Sequence, residues 1–211
     1  MNNLLILGAG GHGKVVADAA FKMGRWEEIS FLDDRYPVMT SVLNHFTVIG
    51  KFSDAANFLG SYPDLIVALG NNTQRLELLR RHQNLGFRLA TIIHPTASMS
   101  CFSRITEGSV VFAQAVVNPN VQIGFGSIIN TAAVIEHDCV LSEGVHVAPN
   151  AVLCGAVNAG ARTLIGPGAV VLENRCIEAD VIIGAGAVVI HHILAKQIVV
   201  GVPARSIKNH E

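Results

Sequence analysis

The sequence has little net charge and no long apolar run, and each absence excludes a class of protein. A net charge of −1 over 211 residues gives no general attraction to nucleic acid or to an anionic membrane. No apolar stretch approaches the length that spans a bilayer. The start of the chain, Met1-Asn-Asn-Leu, carries no basic residue before its apolar run, so it predicts a first strand and not a signal peptide. We therefore expect neither a nucleic-acid partner nor membrane insertion.

Cysteine is also scarce, with four residues at positions 101, 139, 154 and 176. They form no Cys-x-x-Cys pair, which is the spacing of many redox and zinc sites. Scattered thiols of this kind stay reduced inside cells. We therefore expect free cysteines and a cytoplasmic location.

What the sequence does contain is a six-residue repeat that runs from Ile93 to about Leu194. Every sixth residue is large and apolar, with Ala159 as the one exception. A second series, four residues after each of these, is mostly small, with Arg175 as its clearest exception. The members of the first series are Ile93, Met99, Ile105, Val111, Val117, Ile123, Ile129, Ile135, Leu141, Val147, Leu153, Ala159, Ile165, Val171, Ile177, Ile183 and Val189.

A period of six does not fit one face of an α-helix, because six steps of about 100° rotate the side chain by roughly 240°. The period does fit strands, since residues two apart point to the same side of an extended segment. Each hexad is then a three-residue strand, such as 133–135, followed by a three-residue turn, such as 136–138. Stacked hexads of this type are typical of a parallel β-helix.

The repeat resembles that of the hexapeptide-repeat acyltransferases. The resemblance implies a left-handed coil with three hexads per turn and a homotrimer. Outward residues eighteen apart then share a face: one face is aliphatic and includes Val134 and Val152, a second is polar and includes Arg104 and Asn158, and a third is aliphatic apart from His146. Large apolar faces are rare on the surfaces of monomers. We therefore expect neighbouring subunits to bury the two aliphatic faces.

Residues 1–91 show the alternating strands and helices of a small parallel sheet covered on both sides. The predicted strands are Leu4–Leu7, Ile29–Leu32, Phe46–Ile49 and Leu65–Leu69, and the predicted helices are Lys14–Met23, Ser53–Leu59 and Thr73–Asn84. We therefore predict an α/β N-terminal domain with a Rossmann-like parallel sheet at 1–91, a left-handed parallel β-helix at 92–195 and a C-terminal tail at 196–211. Ligands of such sheets bind at the carboxyl ends of the strands, where the turns that begin at Gly8, Asp33 and Gly70 meet.

The first of these turns, Gly8-x-Gly10-x-x-Gly13, has the spacing of a dinucleotide fingerprint. Glycines let the backbone approach a phosphate, and the N-terminus of the following helix offers free N–H donors. The front domain is too short for a full dinucleotide fold, which excludes a nicotinamide dehydrogenase. The turn therefore favours a mononucleotide or sugar nucleotide, and a tight turn without a ligand stays open as the alternative.

Five segments together are more specific than any one of them. They are Gly8–Lys14, Phe31–Asp34, Ala68–Asn72 with Arg75, Ile135–Cys139 and Val200–Arg205. In this combination the chain resembles the sugar O/N-acetyltransferases of the PglD and NeuD type. The resemblance implies a nucleotide sugar on the front domain and acetyl-CoA on the β-helix. In the PglD-like branch it implies acetyl transfer to the 4-amino group of a UDP-linked amino-dideoxy sugar, for bacterial surface glycan synthesis.

The resemblance also implies roles for individual residues. The residues implied to bind the nucleotide sugar are Gly10, Gly11, His12, Asp33, Asp34 and Gly70. The residues implied to lie near acetyl-CoA are His146, Gly155, Pro167 and Ala185. His137 matches the general base of the family, and Asp138 matches the acidic residue beside that base.

An imidazole suits this chemistry, because an amine that attacks a thioester loses a proton, and a base of near-neutral pKa accepts it. Asp138 is the first candidate to orient His137, and Glu136 is the second. A backbone N–H near Gly155 or the ring of His146 would stabilise the thioester oxygen. Cys139 falls on an inward register, so we do not expect it to act as a nucleophile.

Two other functions remain open from the sequence. An O-acetyltransferase of a sialic acid or a related sugar would use the same base and the same acetyl-CoA. A zinc hydratase of the same fold needs three converging imidazoles, and only His137 and His146 lie in the middle of the repeat, so we expect no metal. The histidines near the ends of the repeat, His94, His191 and His192, are predicted to be surface residues.

Overall fold

The structure is a computed structural model that describes residues 2–209, with side chains as far as residue 207. The chain divides into two compact units, Met1–Pro95 and Thr96–Glu211. The division lies a few residues after the domain boundary predicted at residue 91. The segment predicted as a tail from residue 196 lies in the second unit.

The first unit contains a sheet and the helices that cover it. Its strands are β1 (Asn3–Leu7), β2 (Glu28–Leu32), β3 (Ser41–Val42), β4 (Phe46–Gly50), β5 (Asp64–Val67), β6 (Arg88–Leu89) and β7 (Ile92–Ile93). Its helices are α1 (Gly11–Met23), a 3₁₀ helix (Phe52–Phe58) and α2 (Asn72–Asn84).

The sheet has the strand order β3-β4-β2-β1-β5-β6, and its pairs are parallel except for β3 with β4. Leu4–Leu7 in the central strand are all 0% exposed, as a strand covered on both faces requires. The carboxyl ends of β1, β2 and β5 meet at one edge. The predicted Rossmann-like sheet is therefore confirmed, and it brings the turns after these three strands together.

Helix boundaries differ from the sequence prediction where local hydrogen bonds decide them. α1 begins at Gly11, inside the glycine turn, and ends as predicted at Gly24, which adopts a left-handed conformation with φ 62°. The short helix predicted at Ser53–Leu59 is a 3₁₀ helix that begins at Phe52. The Asp54 carboxylate accepts the backbone N–H of Lys51 at 2.8 Å, and this bond sets the earlier start.

The second unit is a stack of very short strands. They are β8 (Ser98–Met99), β9 (Arg104–Ile105), β10 (Val110–Val111), β11 (Val116–Val117), β12 (Gln122–Ile123), β13 (Ile128–Ile129), β14 (Val134–Ile135), β15 (Val140–Leu141), β16 (His146–Val147), β17 (Val152–Leu153), β18 (Asn158–Ala159), β19 (Leu164–Ile165), β20 (Val170–Val171), β21 (Cys176–Ile177), β22 (Ile182–Ile183), β23 (Val188–Val189), β24 (Gln197–Val200) and β25 (Arg205–Asn209).

These strands form three parallel sheets, and partners among β8 to β23 are eighteen residues apart, such as Val134 with Val152. Sheet I contains β8, β11, β14, β17, β20 and β23; sheet II contains β9, β12, β15, β18 and β21; and sheet III contains β10, β13, β16, β19, β22 and β24, with β25 antiparallel to β24. The unit is a left-handed β-helix of hexapeptide repeats, as predicted. Each strand from β8 to β23 has two residues and not the predicted three, because the small residue before it lies outside the paired segment.

The interior and the bends explain why the repeat has its composition. Both periodic series point inward, and residues such as Ile135, Cys139 and Val145 are 0% exposed. Most of the three-residue turns end in a left-handed residue, with φ 62° at Asp138 and 57° at Ala156. Short polar residues and glycine tolerate this conformation better than branched ones, so these residues recur at the last position of the turn.

The outer faces agree in part with the sequence prediction. Sheet II presents exposed residues, including Arg104 and Asn158, whereas the valines of sheet I are half-buried. On sheet III, Val110 and Ile128 are already 2% and 0% exposed within the single chain. The outward residues that are partly exposed on this sheet belong to later coils, such as Leu164 and Ile182.

His94 was predicted to be a surface residue, but it is 7% exposed. It follows β7, which packs against α1 in the first unit. His191 and His192 are exposed, as predicted. No helix within residues 2–209 is both long and apolar enough to cross a bilayer.

Candidate active site

The glycines of the first turn fall into two groups according to what surrounds them. A Cβ at Gly13 would lie 2.0 Å from the carbonyl oxygen of Gly8, so the turn closes only with glycine at position 13. A Cβ at Gly10, Gly11 or Gly70 would meet no protein atom within 4 Å. The turn therefore needs Gly13 for its own packing, whereas Gly10, Gly11 and Gly70 border open space at the edge of the sheet where the carboxyl ends of β1, β2 and β5 meet.

Asp33, at the end of β2, is 7% exposed and holds this turn in place. Its Oδ2 accepts the N–H of Ala9 at 2.8 Å and Arg35 Nη2 at 2.8 Å. Its Oδ1 accepts Arg35 Nε at 2.6 Å and the Arg35 backbone N–H at 3.1 Å. These hydrogen bonds, of which those from the Arg35 guanidinium have the largest effect, lower the pKa of the Asp33 carboxyl to about 2. A carboxylate has about four acceptor positions, so the carboxylate of Asp33 is filled by protein donors.

Asp34 is placed differently, because it is exposed and its Oδ1 accepts only the N–H of Phe52, at 3.1 Å, among the bonds seen for it. A cavity of about 540 Å³ lies beside the same loop. Its lining residues are Arg35, Val38, Met39, Thr40 and Ser41. Asp34 is therefore the carboxylate of the pair that is open to a ligand.

Two basic side chains, Arg75 and His12, lie behind the glycine turns. Arg75 in α2 is 1% exposed, and its guanidinium donates to the carbonyl oxygen of Leu69 at 3.0 Å and to Asn72 Oδ1 at 2.8 Å. Burial lowers the pKa of Arg75 to about 10. Burial, and then the charge of Arg75, lower the pKa of His12 to about 4, so the His12 ring is neutral at pH 7. Arg75 was part of the sequence motif but was not predicted as a site residue.

His137 lies in the second unit, in the turn between sheets I and II, and this row of turns is called the first edge. Its Nδ1 is 2.7 Å from Asp138 Oδ2. A carboxylate only accepts hydrogen bonds, so Nδ1 carries a proton, and in the neutral ring Nε2 then has the lone pair. The His137 side chain is 61% exposed. An exposed imidazole with an open Nε2 is equipped to accept a proton from a substrate.

Glu136, the second candidate to orient the base, has a different partner. Its Oε2 accepts the amide Nδ2 of Asn118 at 2.9 Å, one coil away. Asn120 makes the matching bond to Asp138 Oδ1, also at 2.9 Å. The structure therefore pairs His137 with Asp138 and pairs Glu136 with Asn118. These two asparagines were missed in the sequence, although their spacing of eighteen residues from the two acids was visible.

Gly155 follows His137 by eighteen residues and lies one coil above it. A Cβ at position 155 would lie 2.7 Å from His137 Cε1 and 2.8 Å from Nε2. The imidazole therefore rests against the bare α-carbon of Gly155. Any larger residue at position 155 would displace the His137 ring. The packing of this ring therefore explains why position 155 is glycine, which the sequence alone did not reveal.

The remaining predicted residues lie on a second edge, formed by the turns between sheets III and I. His146 begins β16 on sheet III, and its Nε2 accepts Asn130 Nδ2 at 3.1 Å. Pro167 and Ala185 are exposed in turns of this second edge. His137 and Gly155 thus lie on one edge of the β-helix, whereas His146, Pro167 and Ala185 lie on or beside another.

The cysteines and the metal-ligating residues offer no competing site in the part of the chain that the structure describes. All four cysteines are free. Cys139 is 0% exposed, and burial raises the pKa of its thiol to about 11. Within residues 2–209, no group of three or more histidine, cysteine, aspartate or glutamate side chains is arranged to hold a metal ion.

Comparison with known proteins agrees with both units. Residues 3–82 match the family model of the PglD N-terminal domain. The UDP-N-acetylbacillosamine N-acetyltransferase of Bacillus subtilis (strain 168) is 35% identical over 115 residues, which are 54% of this chain and 52% of that protein. The match thus spans about half the length of that curated relative.

Two solved structures are similar over almost the whole chain. The acetyltransferase domain of PglB from Neisseria gonorrhoeae FA1090, in complex with acetyl coenzyme A, is 40% identical over 98% of this chain and 99% of its own, with a TM-score of 0.93. PerB from Caulobacter crescentus, in complex with CoA and GDP-perosamine, is 34% identical over 99% of this chain and 98% of its own, with a TM-score of 0.93. This chain therefore belongs to the PglD-type family of hexapeptide-repeat sugar acetyltransferases.

Proposed function

We propose that this protein transfers the acetyl group of acetyl-CoA to the amino group of a nucleotide-linked amino sugar, with His137 as general base. The observation that carries the proposal is the 2.7 Å contact between His137 Nδ1 and Asp138 Oδ2, which leaves Nε2 open on the first edge. Membership of a sugar acetyltransferase family supplies the substrate class. The structures of relatives with acetyl coenzyme A and with CoA support acetyl-CoA as the donor.

The transfer needs one proton acceptor and no covalent enzyme intermediate. The amine attacks the thioester carbonyl, the C–N bond forms, and the amine proton passes to His137 Nε2. The tetrahedral intermediate then collapses, the C–S bond breaks, and the thiolate of CoA takes up a proton. Asp138 stabilises the imidazolium that forms, as a carboxylate does in other acyl-transfer sites. A backbone N–H near Gly155 or the His146 ring donates to the carbonyl oxygen.

We propose that the first unit binds the nucleotide sugar. Gly10, Gly11 and Gly70 leave space for the backbone to approach the diphosphate, and the N-terminus of α1 supplies donors. Asp34 contacts the nucleoside, while Asp33 acts indirectly by holding the turn through Ala9. We favour UDP, as in the Bacillus subtilis relative, and the acceptor is then the 4-amino group of an amino-dideoxy sugar; GDP, as in PerB, is the alternative.

We further propose a homotrimer in which each active site contains two edges. The first edge of one subunit supplies His137 and Gly155, and the second edge of a neighbour supplies His146, Pro167 and Ala185. The half-buried valines of sheet I and the later aliphatic residues of sheet III support this assembly. We place its action in the cytoplasm, because all four cysteines are free and acetyl-CoA and nucleotide sugars are metabolites of that compartment.

A ligand panel tests the proposal. Ligands that bind only the folded state raise its melting temperature, so melting is measured with acetyl-CoA, UDP, GDP, CMP and NAD. We expect stabilisation by acetyl-CoA and by UDP, and none by NAD. Stabilisation by GDP in place of UDP would mean that the substrate is a GDP-linked sugar, and an amine would remain the proposed acceptor. A response to CMP alone would favour the sialic acid O-acetyltransferase, and no response to acetyl-CoA would reject the proposal.

A further inference from the structure

The turn one coil below His137 carries side chains that form hydrogen bonds with the turn that contains His137. We call Asn118–Asn120 the amide turn and Glu136–Asp138 the base turn. The backbone N–H of Asp138 donates to the carbonyl oxygen of Pro119 at 3.1 Å. Asn118 Nδ2 donates to Glu136 Oε2 and Asn120 Nδ2 donates to Asp138 Oδ1, each at 2.9 Å. Each acid of the base turn therefore has an asparagine of the amide turn beneath it.

The two oxygens of Asp138 have separate partners. Oδ1 accepts from Asn120 at 2.9 Å and Oδ2 accepts from His137 at 2.7 Å. A carboxylate held by one oxygen alone rotates about its terminal bond, whereas one held by both oxygens has a single orientation. The Asn120 amide, and then His137, also hold the pKa of Asp138 below its usual value, so this carboxylate stays ionised.

The backbone conformation also brings the Asn120 amide to the Asp138 carboxylate. Asn120 and Asp138 occupy equivalent last positions of stacked turns, with φ 67° and 62°. Stacked left-handed residues point their side chains the same way, and so the amide reaches the carboxylate directly above. The other titratable groups near His137 are Glu136 in its own turn and Cys154 in the turn above. Glu136 has Asn118 as its partner, and burial raises the pKa of the Cys154 thiol, so neither replaces Asp138.

We infer that Asn120 is the positioning residue of this site: its amide fixes the Asp138 carboxylate, which in turn keeps the His137 proton on Nδ1 and Nε2 free. The inference rests on the proposed role of His137 as the base. Asn120 contacts neither the imidazole nor, in this account, a substrate. Its effect passes through the orientation of Asp138.

The role of the hydrogen bond from Asn120 to Asp138 in positioning can be tested separately from its effect on stability. Asn120 and the Asp138 side chain are exposed, and exposed hydrogen-bonded pairs contribute little to folding. Loss of the Asn120 amide should therefore change the histidine tautomer much more than it changes the melting temperature. Free histidine in water favours the proton on Nε2, so an unguided His137 drifts toward that form.

Two variants and two controls test the inference. Asn120→Ala removes the amide, and Asn120→Asp keeps its shape but replaces the donor with a carboxylate that repels Asp138. Asn174→Ala removes an asparagine with the same left-handed backbone, φ 60°, three coils above Asn120, so it matches the backbone change without the hydrogen bond to Asp138. Asn118→Ala removes the equivalent bond to Glu136.

The first readout is the ring ¹⁵N spectrum of histidine-labelled protein, with the His137 signal assigned by its loss in His137→Ala. We expect one Nδ1–H tautomer in the wild type and in both controls. We expect a mixture of tautomers in Asn120→Ala and Asn120→Asp. The inference is overturned if both Asn120 variants keep the wild-type tautomer.

The second readout is the rate of acetyl transfer. We expect kcat to fall about tenfold in both Asn120 variants while KM for acetyl-CoA is unchanged, because only the base is misplaced. Normal kcat in Asn120→Asp would contradict the inference. If the wild type acetylates no nucleotide amino sugar, the proposed function fails, but the tautomer spectra still decide the role of Asn120.

Discussion

At the scale of single residues, the bare α-carbon of Gly155 gives the clearest prediction. The His137 ring lies so close that a Cβ would be 2.7 Å from Cε1. We expect Gly155→Ala to displace the base and to lower kcat by about 100-fold, since a shift of about 1 Å in a catalytic group has an effect of that size.

The matched control for Gly155→Ala is Gly168→Ala, at a turn position where a Cβ meets no atom within 4 Å. It carries a left-handed backbone penalty, with φ 65°, but leaves the His137 ring untouched. Melting curves show whether both variants fold. A Gly155→Ala protein with wild-type kcat would contradict the observed packing of the imidazole.

Asp33 gives a prediction about stability and pH. The pKa of its carboxyl is lowered to about 2, so its contribution to stability is complete above about pH 4 and is lost as pH falls toward 2. We expect Asp33→Asn to lower the free energy of unfolding by about 2 kcal/mol at pH 7, because it removes charged hydrogen bonds to Arg35.

Urea unfolding of the wild type and Asp33→Asn at several pH values checks this. The gap in unfolding free energy should be constant from pH 7 down to about pH 4 and should close between pH 4 and pH 2. A gap that persists at pH 2 would mean that the charge of Asp33 is not its source.

Residue roles were the part of the site that the sequence predicted least well. Asp33 and Asp34 are adjacent and acidic, so sequence treats them alike. Only the fold turns one toward Ala9 and Arg35 and leaves the other exposed. The choice between Asp138 and Glu136 was likewise open, because it depends on side-chain orientation in neighbouring coils and not on local sequence.

At the scale of elements, two glycines at the start of α1, just after the turn from β1, allow folding and ligand binding to be tested separately. Gly11→Ala and Gly13→Ala place the same methyl group two residues apart in one helix. A methyl at position 13 collides with the carbonyl oxygen of Gly8, whereas one at position 11 meets no protein atom. We expect Gly13→Ala to destabilise the protein by about 3 kcal/mol, and Gly11→Ala to be neutral or stabilising by about 0.5 kcal/mol.

Among the variants that fold, Gly11→Ala, which is not expected to destabilise the protein, is the one expected to weaken UDP binding. Gly11→Ala fills the space proposed for the diphosphate, so its melting temperature should no longer rise with UDP. A wild-type response of Gly11→Ala to UDP would show that the diphosphate does not lie at this turn, even if the protein binds UDP elsewhere.

The elements themselves were predictable where a strong period specified them. The hexad repeat predicted each strand of the β-helix from β8 to β23, since every hexad repeats the same inward pattern, and the resemblance to the hexapeptide-repeat acyltransferases implied the eighteen-residue stacking. Short elements without a period were missed, such as β3 and β6, which contain two residues each. Pairing with β4 and β5 makes them strands, and pairing of this kind is absent from local sequence.

At the scale of the whole molecule, the exposed faces of the β-helix predict the assembly. We expect the wild type to have three times the mass of one chain by size-exclusion chromatography with light scattering. Leu164→Glu puts a charge on an aliphatic face of sheet III, and it should yield a smaller species. Asn158→Glu puts the same charge on polar sheet II and should leave the trimer intact.

The assembly prediction would fail in two ways. A trimeric Leu164→Glu protein would mean that sheet III is not an interface. A monomeric wild type with full activity would mean that His137 and His146 need not belong to different subunits, although they lie on different edges of one chain.

The central claim is that His137 removes a proton from an amine on a nucleotide-linked sugar while acetyl-CoA supplies the acyl group. The most direct measurement is mass spectrometry of the sugar product after incubation with acetyl-CoA and a UDP-linked 4-amino sugar. We predict that the wild type adds one acetyl group and releases CoA, and that His137→Ala binds both substrates but loses most of this turnover. Acetylation by His137→Ala at the wild-type rate, or no product from the wild type with UDP-linked or GDP-linked amino sugars, would contradict the account.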